Sequence, residues 1–209
     1  MSVELVWSTA NAEQLIVKMA RVSNPANESN MDTAPGLLRY LIKHQHWSPF
    51  ELANLCVKIS TQRDISAQIL RHRSFTFQEF STRYAVVSNG YDLPKLRRQD
   101  NKNRQNSFDD LDEDVVDVYT GRMLDLFNDI ETLYEKMIDE GIAKETARRI
   151  LPLCTNTTMY MNGTIRSWIH YLNLRCDSAT QLEHREIANE IKLIFTEQFP
   201  IIAEAAFGN

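Results

Sequence analysis

The side chains best suited to chemistry lie in one short block of the sequence. Within 68–84 lie the three arginines Arg71, Arg73 and Arg83, with His72, Glu79 and Ser81 among them. A guanidinium group presents a planar fork of donors that matches phosphate and carboxylate oxygens. Together these residue types supply phosphate clamps, a cation that can stack on a ring, and an acceptor for the edge of a base.

A second polar pattern lies on the helix that the sequence predicts over 164–175. Ile165, Trp168, Ile169 and Leu172 form its apolar stripe, and Arg166, His170 and Asn173 follow at i, i+4 and i+7. No Asp or Glu on this helix neutralises Arg166. The polar stripe is therefore either a solvated face or the lining of a pocket for an anion, because an unpaired charge away from water is costly.

Composition narrows the function classes. The 23 Lys and Arg residues are outnumbered by 28 Asp and Glu, for a net charge of −5, which argues against broad nucleic-acid binding. Cys56, Cys154 and Cys176 are widely spaced and odd in number, so neither a disulfide framework nor a cysteine zinc site is expected.

No apolar run approaches the roughly 20 residues of a membrane span, and Met1-Ser2-Val3-Glu4 does not begin a signal peptide. We expect a soluble, cytoplasmic protein.

Periodicity predicts mostly helices with a few strands between them. The helices are expected at 11–22, from Thr33 to about His44, 61–71, 111–140, 143–151, 164–175 and 180–199, and the strands at 52–60 and 157–161. This order predicts an α+β domain with a small mixed or antiparallel sheet flanked by helices, and 1–209 is expected to be a single domain. The polar segment 97–107 is predicted to be a mobile surface loop, or more specifically a lid over a substrate.

The reactive block also has a recognisable order. Arg71-His72-Arg73 is followed by seven residues, Ser81, one residue, and Arg83-Tyr84. This pattern resembles the signature of the flavin-dependent thymidylate synthases. The agreement extends from about His46 to Glu183, through the segments His46-x-Ser48-Pro49-Phe50-Glu51, Ala147-Arg148, Arg166-Ser167 and Asn173-Leu174-Arg175.

The resemblance implies a reaction and a set of partners. NADPH would reduce bound FAD, methylenetetrahydrofolate would supply one carbon, and C5 of dUMP would be methylated to give dTMP. It also implies a homotetramer with shared active sites. A cysteine nucleophile is not expected, because Cys154, between Leu153 and Thr155, has no adjacent base to activate it.

The resemblance implies roles residue by residue. Arg175 would contact the uracil edge as the catalytic residue and stabilise negative charge at N3. The implied dUMP contacts are Gln68, Arg71, Glu79, Ser81, Arg83, Arg148 and Arg175. The implied FAD contacts are Ser48, Glu51, Arg71, His72, Arg73, Glu79, Arg166 and His170. His46 and Tyr84 are candidates for the folate side, and no metal is expected.

Two other function classes remain to be tested. A metal-dependent phosphohydrolase could use some of the histidines, which are His44, His46, His72, His170 and His184. A non-catalytic nucleic-acid-binding module could use Arg71 and Arg73 as cations, with Phe75 and Phe77 as stacking groups. Metal content, salt-dependent oligonucleotide binding and a flavin absorption spectrum separate these classes.

Overall fold

The structure of this protein, a computed structural model, describes residues 1–28, 30–88 and 90–208. Its strands are β1 (Ser2–Ser8), β2 (Asn54–Gln62), β3 (Thr76–Glu79), β4 (Arg98–Gln99), β5 (Ser107–Phe108) and β6 (Asn156–Thr164). Its α-helices are α1 (Ala12–Ala20), α2 (Ala34–Lys43), α3 (Arg63–Ile69), α4 (Glu113–Asp139), α5 (Lys144–Ala147), α6 (Ile165–Arg175), α7 (Leu182–Gln198) and α8 (Pro200–Phe207).

Four strands form the main sheet, in the order β1-β2-β6-β3. The strand predicted at 52–60 is confirmed as β2, in which Leu55, Val57 and Ile59 have no exposed surface and Cys56, on the opposite side, is also buried. Met159 and Met161 of β6 are equally buried, two residues apart on one face. Strand β1 and helix α8 were not predicted. The predicted α+β class, a small sheet with flanking helices, is confirmed.

Contacts divide the chain into two compact units. The first unit comprises Met1–Ile59, Ile69–Gln78 and Met159–Asn209, and the second comprises Ser60–Gln68 and Glu79–Thr158. Strands β2, β3 and β6 contribute residues to both units. The single domain expected from the sequence stays a prediction.

The core of the first unit is built around the inner face of α6. Trp168 is fully buried, and its indole Nε1 donates to the backbone oxygen of Leu55 at 2.9 Å. Phe75 packs edge to face on Trp168, with ring centroids 4.7 Å apart. Helix α6 begins where the sequence predicts, because the Thr164 hydroxyl accepts from the backbone N–H of Ser167 at 3.2 Å.

The second unit contains the long helix α4, which spans nearly the predicted 111–140. Asp112 caps its first turn by accepting from Asp114 N, and Gly141 follows its end with a φ of +79°. The apolar side chains of α4 are only partly covered. Tyr134 is buried, while four other apolar side chains are each more than 40% exposed, namely Val115, Val118, Leu126 and Leu133.

Two local predictions need correction or qualification. Thr61, within the helix predicted over 61–71, lies before α3, which begins at Arg63, and its buried hydroxyl caps no helical N–H because it has no hydrogen-bond partner among the described residues. Instead, the N–H groups of Arg63 and Asp64 donate to the backbone oxygens of Thr155 and Leu153. The polar segment 97–107 contains the antiparallel hairpin β4-β5, and its mobility stays a prediction. No helix in the described ranges combines the length and apolar character needed to cross a membrane.

Gly163 provides a test of packing in the first unit. A Cβ atom added there would lie 2.3 Å from Cδ1 of the buried Phe75 ring. We expect Gly163→Ala to lower the free energy of unfolding by about 1–3 kcal/mol, because the ring is held by its neighbours and must shift. Chemical denaturation measures this change.

The matched control is Gly121→Ala in α4, where an added Cβ meets no atom within 4 Å. This exposed helical position should gain stability, because alanine has the higher helix propensity. Equal stability of Gly163→Ala and the unaltered protein would contradict the proposed clash.

Candidate active site

Arg175 and His72 meet in the first unit. Arg175 ends α6, and its Nε donates to His72 Nε2 at 2.9 Å. Burial, and next the charge of Arg175, lower the pKa of His72 to about 4. The imidazole is therefore neutral near pH 7, with its proton on Nδ1 because Nε2 accepts. The terminal nitrogens of Arg175 make no hydrogen bond to any described residue, so they remain available to a ligand.

Two buried side chains, Tyr171 and His184, lie behind His72. The Tyr171 ring lies edge to face on the His72 ring at 4.8 Å, and its hydroxyl is 3.0 Å from His184 Nε2. Burial lowers the pKa of His184 to about 3 and raises the pKa of Tyr171. Both groups are neutral and nearly inaccessible to solvent. The sequence suggested His184 only as a possible metal ligand and did not single out Tyr171.

The polar stripe of α6 has an acidic partner outside the helix, which the sequence did not reveal. Arg166 forms an ion pair with Glu51, which lies in the 3₁₀ turn Ser48–Glu51. His170 packs on Trp47 with ring centroids 4.6 Å apart, and its pKa is lowered by burial and then by Arg166. The structure thus brings together Glu51, Arg166 and His170, all predicted FAD contacts, but Arg166 is not an unpaired charge.

Other predicted residues of the first unit are exposed. Arg71 and Arg73 lie at the surface, and their guanidinium groups have no hydrogen-bond or ion-pair partner among the residues described. Ser48 and His46 are also exposed, and the His46 ring lies 6.0 Å from Tyr40 and 6.3 Å from His44. The two arginines are therefore open to phosphate oxygens.

Glu79 is held by two hydroxyl groups in the second unit. Ser66 Oγ donates to Glu79 Oε1 at 2.6 Å, and Thr157 Oγ1 donates to the same oxygen at 3.1 Å. Neither hydroxyl was predicted, because each reaches Glu79 from a distant part of the sequence. This arrangement fixes a half-buried carboxylate and leaves Oε2 as an acceptor for a ligand.

Two arginines of the second unit meet one hydroxyl. Arg63 Nη1 and Arg148 Nη1 donate to Thr82 Oγ1 at 3.2 and 3.0 Å. By contrast, Arg83 is neutralised by Glu145 at 3.1 Å, in an exposed ion pair. Arg148 and Arg83 were predicted to contact dUMP, whereas Arg63 was not singled out.

The remaining predicted residues of the second unit lie near the ends of local elements. Gln68 is half-buried in the last turn of α3. Ser81 is half-buried, and its backbone oxygen accepts from Tyr84 N and Ala85 N at 3.1 Å. Tyr84 is exposed and lines an open groove of about 470 Å³ with Arg83 and Lys144. No described imidazole or carboxylate contacts the Ser81 hydroxyl, so it has no general base.

The metal-site alternative receives no support from the described ranges. Within 1–28, 30–88 and 90–208, no three His, Cys, Asp or Glu side chains are grouped to hold a metal ion. His72 and His184 are instead engaged with Arg175 and Tyr171.

The fold and the arginine-rich site are those of an α+β protein whose family is identified by comparison with known proteins. The model of the thymidylate synthase complementing protein family matches residues 4–201. A protein of Paramecium bursaria Chlorella virus 1, described as a "probable flavin-dependent thymidylate synthase", is 53% identical over 201 residues, which cover 96% of this chain and 93% of the viral protein. The flavin-dependent thymidylate synthase of Synechocystis is 49% identical over 193 residues, covering 92% and 88% of the two chains.

A solved structure agrees with this assignment. The UMP/dUMP methylase PolB of Streptomyces cacaoi, bound with 5-bromo-dUMP, superposes with a TM-score of 0.86 at 29% identity and covers 99% of this chain and 95% of its own. This chain belongs to the thymidylate synthase complementing protein family. The family and enzyme class predicted from the signature block are thereby confirmed.

The neutral histidines predict how stability depends on pH. Above about pH 6.5 both histidines are neutral in the folded and unfolded states, and stability is complete. Below this pH, the two histidines bind protons in the unfolded chain but not in the folded protein. The free energy of unfolding should therefore fall until about pH 4, where His72 itself becomes protonated, by roughly 1.4 kcal/mol per pH unit for each such histidine.

The variant His184→Gln tests whether the neutral histidines cause this dependence of the free energy of unfolding on pH. Between pH 6.5 and 4 the variant should lose stability less steeply than the unaltered protein, as measured by denaturant titration at each pH. His44→Gln, a change at an exposed histidine, is the control and should keep the original slope. An unchanged slope in His184→Gln would contradict a neutral buried His184.

Proposed function

We propose that this protein is a flavin-dependent thymidylate synthase that methylates C5 of dUMP to give dTMP. NADPH is the proposed hydride source, and methylenetetrahydrofolate is the proposed one-carbon donor. The similarity to flavin-dependent thymidylate synthases and to a methylase bound with 5-bromo-dUMP supports the substrate. The observation that carries the proposal is Arg175, whose Nε is fixed on a neutral imidazole while its terminal nitrogens remain available.

The residues of the first unit fit FAD. Arg71 and Arg73 are exposed, unpaired cations that suit its diphosphate. His72, Arg166 and His170, with Ser48 and Glu51, supply polar contacts, and Glu79 of the second unit supplies a fixed acceptor. FAD, when bound, would carry hydride between NADPH and the one-carbon unit, which no side chain of this protein can do. The protein would bind and orient it.

Arg175 would act on the uracil ring. Its terminal nitrogens would donate to the pyrimidine edge and stabilise negative charge at N3 as C5 becomes nucleophilic. His72 accepts from Nε and so fixes the plane of the guanidinium group. Gln68, Ser81, Arg83 and Arg148, with Arg71 and Glu79, would bind the sugar and phosphate, although Arg83 must first exchange Glu145 for the ligand.

The cysteines support a mechanism without a protein thiolate. Burial raises the pKa of Cys56, Cys154 and Cys176, so the thiol form is favoured at neutral pH. On the folate side, the proposed contacts are His46 and Tyr84, both exposed. The homotetramer is also a proposal, and it is supported by the exposed apolar stripe of α4, which a second copy of the chain could cover.

The direct test uses purified protein with FAD, NADPH, methylenetetrahydrofolate and dUMP. We expect a flavin absorption spectrum and formation of dTMP, detected by chromatography. Folded protein that stays colourless and takes up no FAD would overturn the proposed function.

Arg175→Ala should retain bound FAD but lose dTMP formation by about 100-fold or more, since the charge stabiliser is removed. The visible spectrum and the rate of dTMP formation are measured on the same sample. Arg122→Ala, at an exposed position of α4, is the control and should leave both unchanged. Normal turnover in Arg175→Ala would remove Arg175 from catalysis.

Cys154→Ala should keep dTMP formation within a few-fold of the unaltered enzyme, because the buried thiol is protonated and has no activating base. Turnover at saturating dUMP is the measurement, with circular dichroism to check folding. Complete loss of turnover in a folded variant would indicate a thiolate mechanism.

A further inference from the structure

Arg63, Arg148 and Thr82 form a compact cluster within the second unit. Arg63 is the first residue of α3, and Arg148 directly follows α5. Both guanidinium groups donate through Nη1 to the hydroxyl oxygen of Thr82. Since both nitrogens lie near 3 Å from one oxygen, they are within about 6 Å of each other. Thr82 is 5% exposed, so this meeting point is fixed within the fold.

The cluster carries two positive charges, and within the described ranges no carboxylate is paired with either of them. Neither arginine forms an ion pair with any carboxylate in the described part of the chain. The nearby Glu145 is paired with Arg83 instead. Two like charges at this separation repel each other, and a neutral hydroxyl cannot offset that repulsion. An anion with several acceptor oxygens is therefore the missing partner.

A phosphate monoester fits this requirement. It carries a charge of about −1.5 to −2 near pH 7 and three acceptor oxygens, enough for two guanidinium groups at once. Because Thr82 Oγ1 already accepts from both arginines, its own proton points away from them and is available to a further acceptor. Thr82 is thus a positioning residue that sets the distance between the guanidinium groups of Arg63 and Arg148.

We propose that Arg63 is a second phosphate-binding arginine, which acts with Arg148 on the 5′-phosphate of the nucleotide substrate. This inference rests on the proposed function, which names that substrate as dUMP. Arg63 lies outside the signature block, five residues before Gln68, and its type alone would suit a solvated surface. Its convergence with Arg148 on one buried hydroxyl distinguishes it from the exposed Arg149.

The test compares two ligands that differ only in the phosphate. In the FAD-loaded enzyme, Arg63→Ala should weaken dUMP binding by about 10- to 100-fold, the loss expected for a charge-assisted hydrogen bond. The inhibition constant of 2′-deoxyuridine, measured by competition against dUMP, should be the same for Arg63→Ala as for the unaltered enzyme. The KM for dUMP should rise while turnover at saturation is largely retained, and the flavin spectrum should be unaltered.

Two further variants make the result specific. Arg63→Lys keeps the positive charge but loses the planar set of guanidinium donors. Its affinity for dUMP should therefore lie between those of Arg63→Ala and the unaltered enzyme. It also carries the test if Arg63→Ala does not fold. Arg149→Ala, at the exposed neighbouring arginine, is the matched control and should bind both ligands normally.

The outcomes separate this inference from the function on which it rests. Unaltered enzyme that binds dUMP, with an Arg63→Ala variant that binds it equally well, would overturn the role of Arg63 alone. Equal weakening of dUMP and 2′-deoxyuridine would also overturn it, because the effect would not depend on the phosphate. Unaltered enzyme that binds no dUMP would overturn the proposed function and this inference together.

Discussion

A guanidinium group that is partly withdrawn from water needs a hydrogen-bond acceptor, and this protein gives several of its arginines neutral ones. Arg175 donates to an imidazole, and Arg63 and Arg148 donate to a hydroxyl. These acceptors orient the guanidinium groups without cancelling their charge, whereas a carboxylate would do both. Arg83 shows the alternative, since its exposed ion pair with Glu145 leaves little attraction for an anion. The proposed binding of phosphorylated ligands depends on that difference.

Keeping the acceptors neutral requires burial behind them. His72 could not accept from Arg175 if it were protonated, and the desolvation around it keeps it deprotonated near pH 7. Tyr171 and His184 fill that space with polar atoms that satisfy each other. A comparable arrangement holds Glu79, where two hydroxyl groups donate to one carboxylate oxygen and so fix its position. Arg175 and Glu79, both proposed ligand contacts, are thus oriented by neighbouring side chains.

Features that depend on local sequence were predictable, and those that depend on distant partners were not. Strand β2, the length of α4 and the Thr164 cap of α6 follow from periodicity and from nearby polar groups. The ion pair of Arg166 with Glu51 joins residues far apart in the sequence, so the helix alone suggested an unpaired charge. Ser66, Thr157 and Tyr171 were missed for the same reason, and His184 was considered only as a metal ligand. A hydroxyl or a ring at an inward position looks like ordinary core until its partner is known.

The contact between Phe75 and Gly163 has a consequence for the alignment of the first unit. The ring occupies the space that a side chain on β6 would fill, so it accepts only the one residue that has none. Sliding the strand by a single position, roughly 3.3 Å, would bring Asn162 or Thr164 against the ring instead. Helix α6 starts directly after this strand, so the same obstruction sets how far along its axis Arg175 lies. The packing of Phe75 against Gly163 thereby helps to keep the guanidinium group of Arg175 within reach of the His72 imidazole.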